Sequence, residues 1–179
     1  MDRHCWQRVF ATRAPASVIL IRLLVGFVFV SEGLQKFLYP GDVGTGRFEK
    51  IGFAAPDAMA NLVACFEVAC GAMLVLGLLT RTATIPLIVV MLTAIVTTKL
   101  PILVGHDLWG LHVRRLSRYG FWAMAHEART DWAMLLGSIF LLIVGGGRYS
   151  IDARLVRLCR PRGRARHNND TAAAKPGRD

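Results

Sequence analysis

Long apolar segments alternate with short polar ones along the chain, and four of the apolar segments approach the length of a membrane crossing. A helix needs about 20 mostly apolar residues to cross the hydrocarbon layer. The pattern predicts such helices at residues 17–39, 58–79, 83–104 and 131–147, of which the last is the shortest. The sequence therefore predicts an all-α fold, a bundle of four transmembrane helices with a long outer loop between the third and the fourth.

The composition supports a membrane protein with polar ends. The chain has 179 residues, of which 54% are hydrophobic and 19% charged, and its mean hydropathy is +0.42. We expect one membrane domain at 17–155 between a basic N-terminal segment at 1–16 and a basic tail at 156–179. The first apolar run exceeds the 7 to 15 residues typical of a signal peptide, so it is expected to be retained. The tail has almost no large apolar residues and is predicted to be disordered, while SIDARLVRLC before it predicts a short helix on the membrane surface.

The basic residues are unevenly distributed, and their placement predicts the orientation. The formal net charge is +10, with thirteen basic residues at the two ends and the second connection, against six in the other two connections. The positive-inside rule then places both termini in the cytoplasm. Attraction to anionic lipid accounts for the basic tail, and nucleic acid is not a predicted partner because no binding motif accompanies the arginines. The four cysteines form no CxxC pair, so neither a zinc site nor a disulfide framework is predicted.

Ionisable side chains occur inside the predicted spans, where each costs roughly 2.5 to 3.5 kcal/mol unless it reaches a partner, the interface or a wet cavity. Glu32 and Lys36 lie in the first span, Glu67 lies near the middle of the second, and Lys99 lies near the outer end of the third. In the predicted orientation all four lie in the outer half, so we expect a polar cluster there. The order and spacing of Glu32 and Lys36 favour an ion pair. Glu67 is the preferred functional residue, because a carboxylate inside a membrane marks a candidate site by default.

One stripe of the first helix combines small and charged residues. Gly26, Gly33 and Lys36 lie close to the direction of Arg22 at about 100° per residue. Glycines allow membrane helices to approach closely, so this stripe is expected to meet the neighbouring helices. Arg22 itself is expected to extend to the cytoplasmic surface as an anchor.

The region before the fourth span carries histidines, acidic residues and tryptophans. His126 and Glu127 could ligate a metal or move protons, but no ligand spacing accompanies them, so interfacial roles are favoured and no metal site is predicted. If the fourth helix begins near His126, Glu127 and Asp131 share a face and would lie over the polar cluster. Three tryptophans are expected to form an interfacial aromatic belt: Trp109, Trp122 and Trp132.

Four segments, in this order, together resemble the DoxX family of small bacterial membrane proteins over roughly residues 17–155. They are RLLVGFVFVSEGLQKF, FEVACGAMLVLGLLTR, HEARTDWAMLLGSIFLLIVGGG and YSIDA. The positions that match the family's recurring polar pattern are Arg22, Gly33, Lys36, Glu67, Gly71, Arg81, Glu127 and Asp152. The resemblance implies a four-helix protein of the bacterial inner membrane. For some relatives it also implies association with membrane oxidoreductase complexes, including a thiosulfate:quinone oxidoreductase.

The leading functional hypothesis is a membrane subunit of an oxidoreductase that acts on quinone or a small reductant. Lys36 would supply a charge or a hydrogen bond to a ligand oxygen, and Glu67, beside Glu32, would move a proton. The remaining candidates for contacts to the ligand are Arg22, Lys99, His126 and Glu127.

The sequence has no iron–sulfur, haem or dinucleotide motif, so no intrinsic cofactor is predicted and quinone is the candidate ligand. Electrons would then reach it from a soluble or membrane redox partner. The alternatives are a small-solute or proton transporter, or a non-catalytic assembly or structural factor. The lipid bilayer is the predicted environment in each case, and a homo-oligomer stays open.

Overall fold

In the computed structural model the described residues are 15–158, with side chains described to residue 156, and they form helices without a β-strand in that range. The predicted all-α class is therefore confirmed for this part of the chain. The predicted segments at 1–16 and 156–179, including the predicted disorder of the tail, lie almost entirely outside the described residues. In chain order the helical elements are α1 (Val18–Leu38), α2 (Thr45–Ile51), α3 (Pro56–Leu76), α4 (Thr80–Ala94), a π-helical segment (Ile95–Lys99), α5 (Leu100–Val104), α6 (Phe121–Val144) and α7 (Ile151–Leu158).

Three helical runs in the described range are long and apolar enough to cross a membrane: α1, α3 and the continuous run Thr80–Val104. They correspond to the first three predicted spans. The predicted start of the fourth helix was wrong, because α6 begins at Phe121, ten residues before position 131. The stretch HEARTD reads as polar in a hydropathy profile, yet Glu, Ala and Arg are good helix formers, and the helix continues through it. The connection before α6 is correspondingly shorter, at 105–120.

The helices pack as two close pairs that join into a ring. α1 packs chiefly on α3 and α4 chiefly on α6, while α3–α4 and α1–α6 contacts close the ring. Glycines allow the first pair to approach. A Cβ added at Gly26 would lie 2.9 Å from the carbonyl oxygen of Gly71, and one added at Gly33 would lie 2.9 Å from that of Ala64. The predicted glycine stripe of the first helix therefore lies against α3.

The π-helical segment changes which side of the third span faces the bundle. Buried residues of α4 include Thr84, Leu87 and Met91, spaced three and four apart, and the same spacing would next place Thr98 inward. Instead Lys99 is the buried residue, because a π-turn inserts one extra residue into the helix. Pro101 gives a physical reason for the irregularity, since proline has no N–H and its ring clashes with the carbonyl four residues earlier.

The α3–α4 turn and the C-terminal end of α6 form a junction at the opposite end of the bundle. Arg22 was predicted to extend to the surface, and this was wrong: its side chain is buried and donates to the carbonyl oxygens of Gly146 at 2.6 Å and Tyr149 at 2.9 Å. Carbonyls left unpaired at a helix end need donors, and a guanidinium supplies several in a fixed fork.

Asp152, in the first turn of α7, completes this junction. Its carboxylate accepts hydrogen bonds from the amides of Leu79 at 2.7 Å and Thr80 at 2.9 Å, which begin α4. The Thr80 hydroxyl donates to it as well, at 2.9 Å. Asp152 therefore caps α4 from a distant part of the chain, and the segment predicted as a short helix is helical, as α7.

The connection 105–120 is folded around Asp107. Its carboxylate accepts a hydrogen bond from the Val113 amide at 2.7 Å, and the His112 Nδ1 atom lies 2.8 Å from its Oδ2. The His112 amide donates to the carbonyl oxygen of Ile51 at 2.8 Å. This contact ties the connection to the C-terminal end of α2.

Candidate functional site

A cavity of about 650 Å³ lies between the two helix pairs, away from the Arg22–Asp152 junction. Its walls come from α1, α2, α3, α4, the π-helical segment and α6. All but two of the predicted site residues contribute to its lining. Those that do are Glu32, Lys36, Glu67, Lys99 and Glu127.

The first wall carries a buried ion pair between α1 and α3. The Lys36 Nζ atom lies 2.6 Å from Glu67 Oε2, with the two side chains 11% and 3% exposed. Gly33, one turn before Lys36, makes this approach possible, because a Cβ at that position would lie 2.9 Å from Glu67 Cβ. The predicted cluster of polar side chains from separate helices is therefore present.

The predicted ion pair between Glu32 and Lys36 was wrong. Lys36 reaches only the backbone carbonyl of Glu32, at 3.4 Å, while its ammonium pairs with Glu67. Glu32 is exposed, and exposed pairs within one helix contribute little. The buried partner across the interface is favoured because water screens that interaction much less.

The second wall carries a matching pair between the π-helical segment and α6. The Lys99 Nζ atom lies 3.1 Å from Asp131 Oδ2, with the side chains 9% and 21% exposed. A third pair, Arg114 Nη1 to Glu127 Oε2 at 3.3 Å, lies at the more exposed rim. The carboxylates of α6 thus lie against the polar cluster, as their shared helical face predicted.

The charged residues of the lining cancel in formal charge. Four are basic and four are acidic, so the cavity as a whole offers hydrogen bonds and local fields without a net charge. This balance disfavours a multiply charged small ion and suits a neutral polar group. The basic members are Lys36, Arg47, Lys99 and Arg114, and the acidic members are Glu32, Glu67, Glu127 and Asp131.

The rest of the lining is mostly apolar, with four threonines among it, and part of it reaches the outside of the bundle. Leu62 and Phe66 of α3 and Val89 of α4 line the cavity, yet all three are exposed on the surface of the bundle. Part of the cavity lining therefore lies at the surface of the bundle, on the apolar sides of α3 and α4.

The two other predicted site residues lie elsewhere. Arg22 is at the opposite junction, and His126 is exposed, outside the cavity lining, with both ring nitrogens 2.9 Å from Arg129 Nη1. Within residues 15–158, no group of three His, Cys, Asp or Glu side chains is placed to hold a metal ion. Sequence reasoning did not select Arg47 and Arg114 as candidates; they reach the lining from α2 and the connection, which the hydropathy pattern did not resolve.

Comparison of the sequence with known proteins identifies relatives that are membrane proteins. The family model for DoxX matches residues 17–100. The chain is 52% identical over 150 residues to a Mycobacterium tuberculosis protein named "Uncharacterized membrane protein Rv3486", covering 84% of this chain and 88% of the relative. It is 28% identical over 135 residues to a Bacillus subtilis protein named "Putative oxidoreductase CatD", covering 75% of this chain and 83% of the relative. No solved structure gives a significant match. With its apolar helices and these matches, the chain belongs to the DoxX family of membrane proteins.

Proposed function

We propose that this chain is the quinone-binding membrane subunit of an oxidoreductase. The observation that carries the proposal is the chemistry of the cavity, which combines apolar side chains of α3 and α4 that reach the bundle surface with a charge-balanced set of polar side chains that includes two largely buried ion pairs. A quinone has a neutral headgroup with carbonyl acceptors and an apolar tail. The headgroup would enter from the bilayer and the tail would remain beside these apolar side chains.

Lys36 and Glu67 are the groups that would act on the headgroup. A charged donor makes a stronger hydrogen bond than a neutral one, so the Lys36 ammonium would polarise a quinone carbonyl. Reduction of a quinone to a quinol takes two electrons and two protons. In this proposal the two electrons come from a small reductant oxidised at a redox partner. Glu67 takes up one proton from water and passes it to a carbonyl oxygen as general acid, and the second proton reaches the other carbonyl oxygen from water at the exposed rim of the cavity.

The membrane placement is part of the same proposal. α6 would be the fourth span, with the charged part of its first half at the rim of the cavity. Both termini would be cytoplasmic, with the junction of Arg22 and Asp152 on that side of a bacterial inner membrane. Three arginines belong to the segments at that end of the bundle: Arg81, Arg148 and Arg154. By the positive-inside rule they support this orientation.

The name of the Bacillus subtilis relative lends independent support to redox chemistry, because it describes an oxidoreductase. That name concerns a protein 28% identical to this chain. The direct test is therefore on this chain itself.

The test measures binding of a short-tailed quinone to the purified protein in lipid nanodiscs. Quenching of tryptophan fluorescence reports the binding. The wild type should bind, and Glu67→Gln should bind about 10- to 100-fold more weakly. Without the Glu67 carboxylate the Lys36 ammonium is no longer held at the cavity wall, and the hydrogen bond that it would donate to the headgroup is of the charged kind that contributes about 1.5 to 3 kcal/mol. Glu49→Gln is the matched control, because Glu49 is exposed on α2 and outside the cavity lining.

Two results would reject the proposal: a wild-type protein that binds no quinone, or a Glu67→Gln variant that binds as the wild type does. If uptake of a solute into proteoliposomes were instead abolished by Glu67→Gln, the transporter alternative would replace it.

A further inference from the structure

We propose that Lys99 and Asp131 form a second contact for the same ligand, so that the cavity selects a flat molecule with two carbonyl groups on opposite edges. One carbonyl would accept a hydrogen bond from Lys36 and the other from Lys99. This inference rests on the proposed function and adds a selection rule to it: a molecule with one carbonyl should bind far more weakly.

The arrangement of the helices places the two ammonium groups on different walls. α1 packs on α3 and α4 packs on α6, so in the ring of four helices α1 stands diagonally across from the α4 run. Lys36 comes from α1 and Lys99 from the π-helical segment that continues α4, and both line the cavity. Each is paired with a carboxylate of the adjacent helix in its own wall.

Each ammonium keeps donor capacity beyond its ion pair. A lysine ammonium carries three N–H donors. Lys36 makes hydrogen bonds to the Glu67 carboxylate and to the Glu32 carbonyl, which leaves one donor for a ligand. Lys99 has Asp131 as its ion-pair partner, and one carboxylate oxygen does not consume three donors. A carbonyl can therefore join either pair without separating the charges.

The π-helical segment is a second, independent reason to assign a role to Lys99. A regular α-helix would turn Thr98 inward, as the spacing of Leu87 and Met91 requires. The inserted residue makes Lys99 the buried residue of this segment, while Thr98 is half-buried and also lines the cavity. π-turns of this kind occur frequently at functional sites. The consequence is a buried cation on the second wall, next to Thr98 in the lining.

The test compares two probes of similar shape, 1,4-naphthoquinone and 1-tetralone, which keeps only one of the two carbonyl groups. The full chain in nanodiscs should bind naphthoquinone about 10- to 100-fold more tightly, by the magnitude of one hydrogen bond to a charged donor. The double variant Lys99→Met/Asp131→Asn removes the pair without leaving an isolated charge, and should reduce this preference to less than about 3-fold. The matched control is Lys50→Met/Asp42→Asn, which changes two exposed residues outside the cavity lining.

A measurement on the wild type alone tests the same inference if the double variant does not fold. In the infrared spectrum of naphthoquinone bound to the wild type, the stretching bands of both carbonyl groups should lie at lower frequency than in unbound naphthoquinone. Isotope labelling of one carbonyl group separates the two bands. One shifted and one free band would overturn the inference.

Failure of this inference is distinguishable from failure of the proposed function. If naphthoquinone binds, Glu67→Gln weakens it, and the Lys99/Asp131 double variant retains the full preference, the second contact is rejected and the quinone site stands. If the wild type binds neither probe, both proposals fall.

Discussion

Replacing Lys36 by Met should destabilise the bundle strongly, because it leaves a buried carboxylate without its cation. Glu67 is 3% exposed at its side chain and makes a 2.6 Å ion pair with Lys36. Met has nearly the length of the Lys stem, so the change removes the charge and the donor with little loss of volume.

The magnitude follows from the burial of this pair. Removing one partner of a buried ion pair costs about 3 to 5 kcal/mol, whereas replacing both partners by apolar residues is often neutral or stabilising by about 1 to 4 kcal/mol. For a chain of this size, each kcal/mol shifts the Tm by about 2 to 4 °C. Lys36→Met should therefore lower the Tm by about 6 to 20 °C, and Lys36→Met/Glu67→Met should restore it.

The assay is thermal unfolding in one detergent. The loss of the monodisperse peak in size-exclusion chromatography reports the unfolded fraction. Lys50→Met is the control, since Lys50 is exposed and surface substitutions usually stay within about 0.5 kcal/mol. A Tm of Lys36→Met within 2 °C of the wild type would refute the reasoning, because it would mean that water in the cavity already solvates the carboxylate.

Three further changes test other parts of the molecule. Gly33→Ala should cost about 1 to 3 kcal/mol by overpacking, because its Cβ would meet α3 backbone at 2.9 Å, while Gly41→Ala meets nothing within 4 Å and should be neutral in the same Tm assay. Asp152→Ala should cost about 1 to 3 kcal/mol by leaving buried amides of α4 without an acceptor, and an unchanged Tm would contradict its capping role. A hydrogen bond from His112, together with a backbone amide, holds the pKa of Asp107 below its ordinary value of 3.8. This loop contact should therefore persist at neutral pH and be lost only as the pH falls through that lowered pKa; an NMR titration of the carboxyl carbon giving a pKa of 3.8 or more would contradict this.

The hydropathy pattern predicts the fold well because lipid imposes a length and a polarity on every helix that crosses it. It fails at the start of α6, where a helix continues through charged residues beyond the apolar run. Glu127 lies outside the predicted fourth span and Asp131 is its first residue, but both are well inside α6 and line the cavity. Their shared helical face, rather than their hydropathy, was the useful pattern.

Most residues of the site were predictable from the sequence, but the ion pairs that they form were not. Burial of Glu67 follows from its place in an apolar span, but the choice of Lys36 over any other cation depends on the packing of α1 against α3. The inward turn of Lys99 was not predictable from periodicity, since a regular helix continued from Leu87 and Met91 places Thr98 inward, and the π-turn that shifts the spacing by one residue is seen only in the structure. Pro101 was a local indication that the helix would be irregular at this point.

The contacts of Arg22 and Asp152 also set the order in which the bundle can assemble. They join positions 124 and 73 residues apart, and closing such long loops costs entropy that local pairing does not. α1 and α3 can dock as soon as both are inserted, whereas the far junction must await the synthesis of α7. A chain halted before residue 146 would therefore have α6, and with it the walls of the cavity, while its other end still lacked the partners of Arg22 and the Asp152 cap.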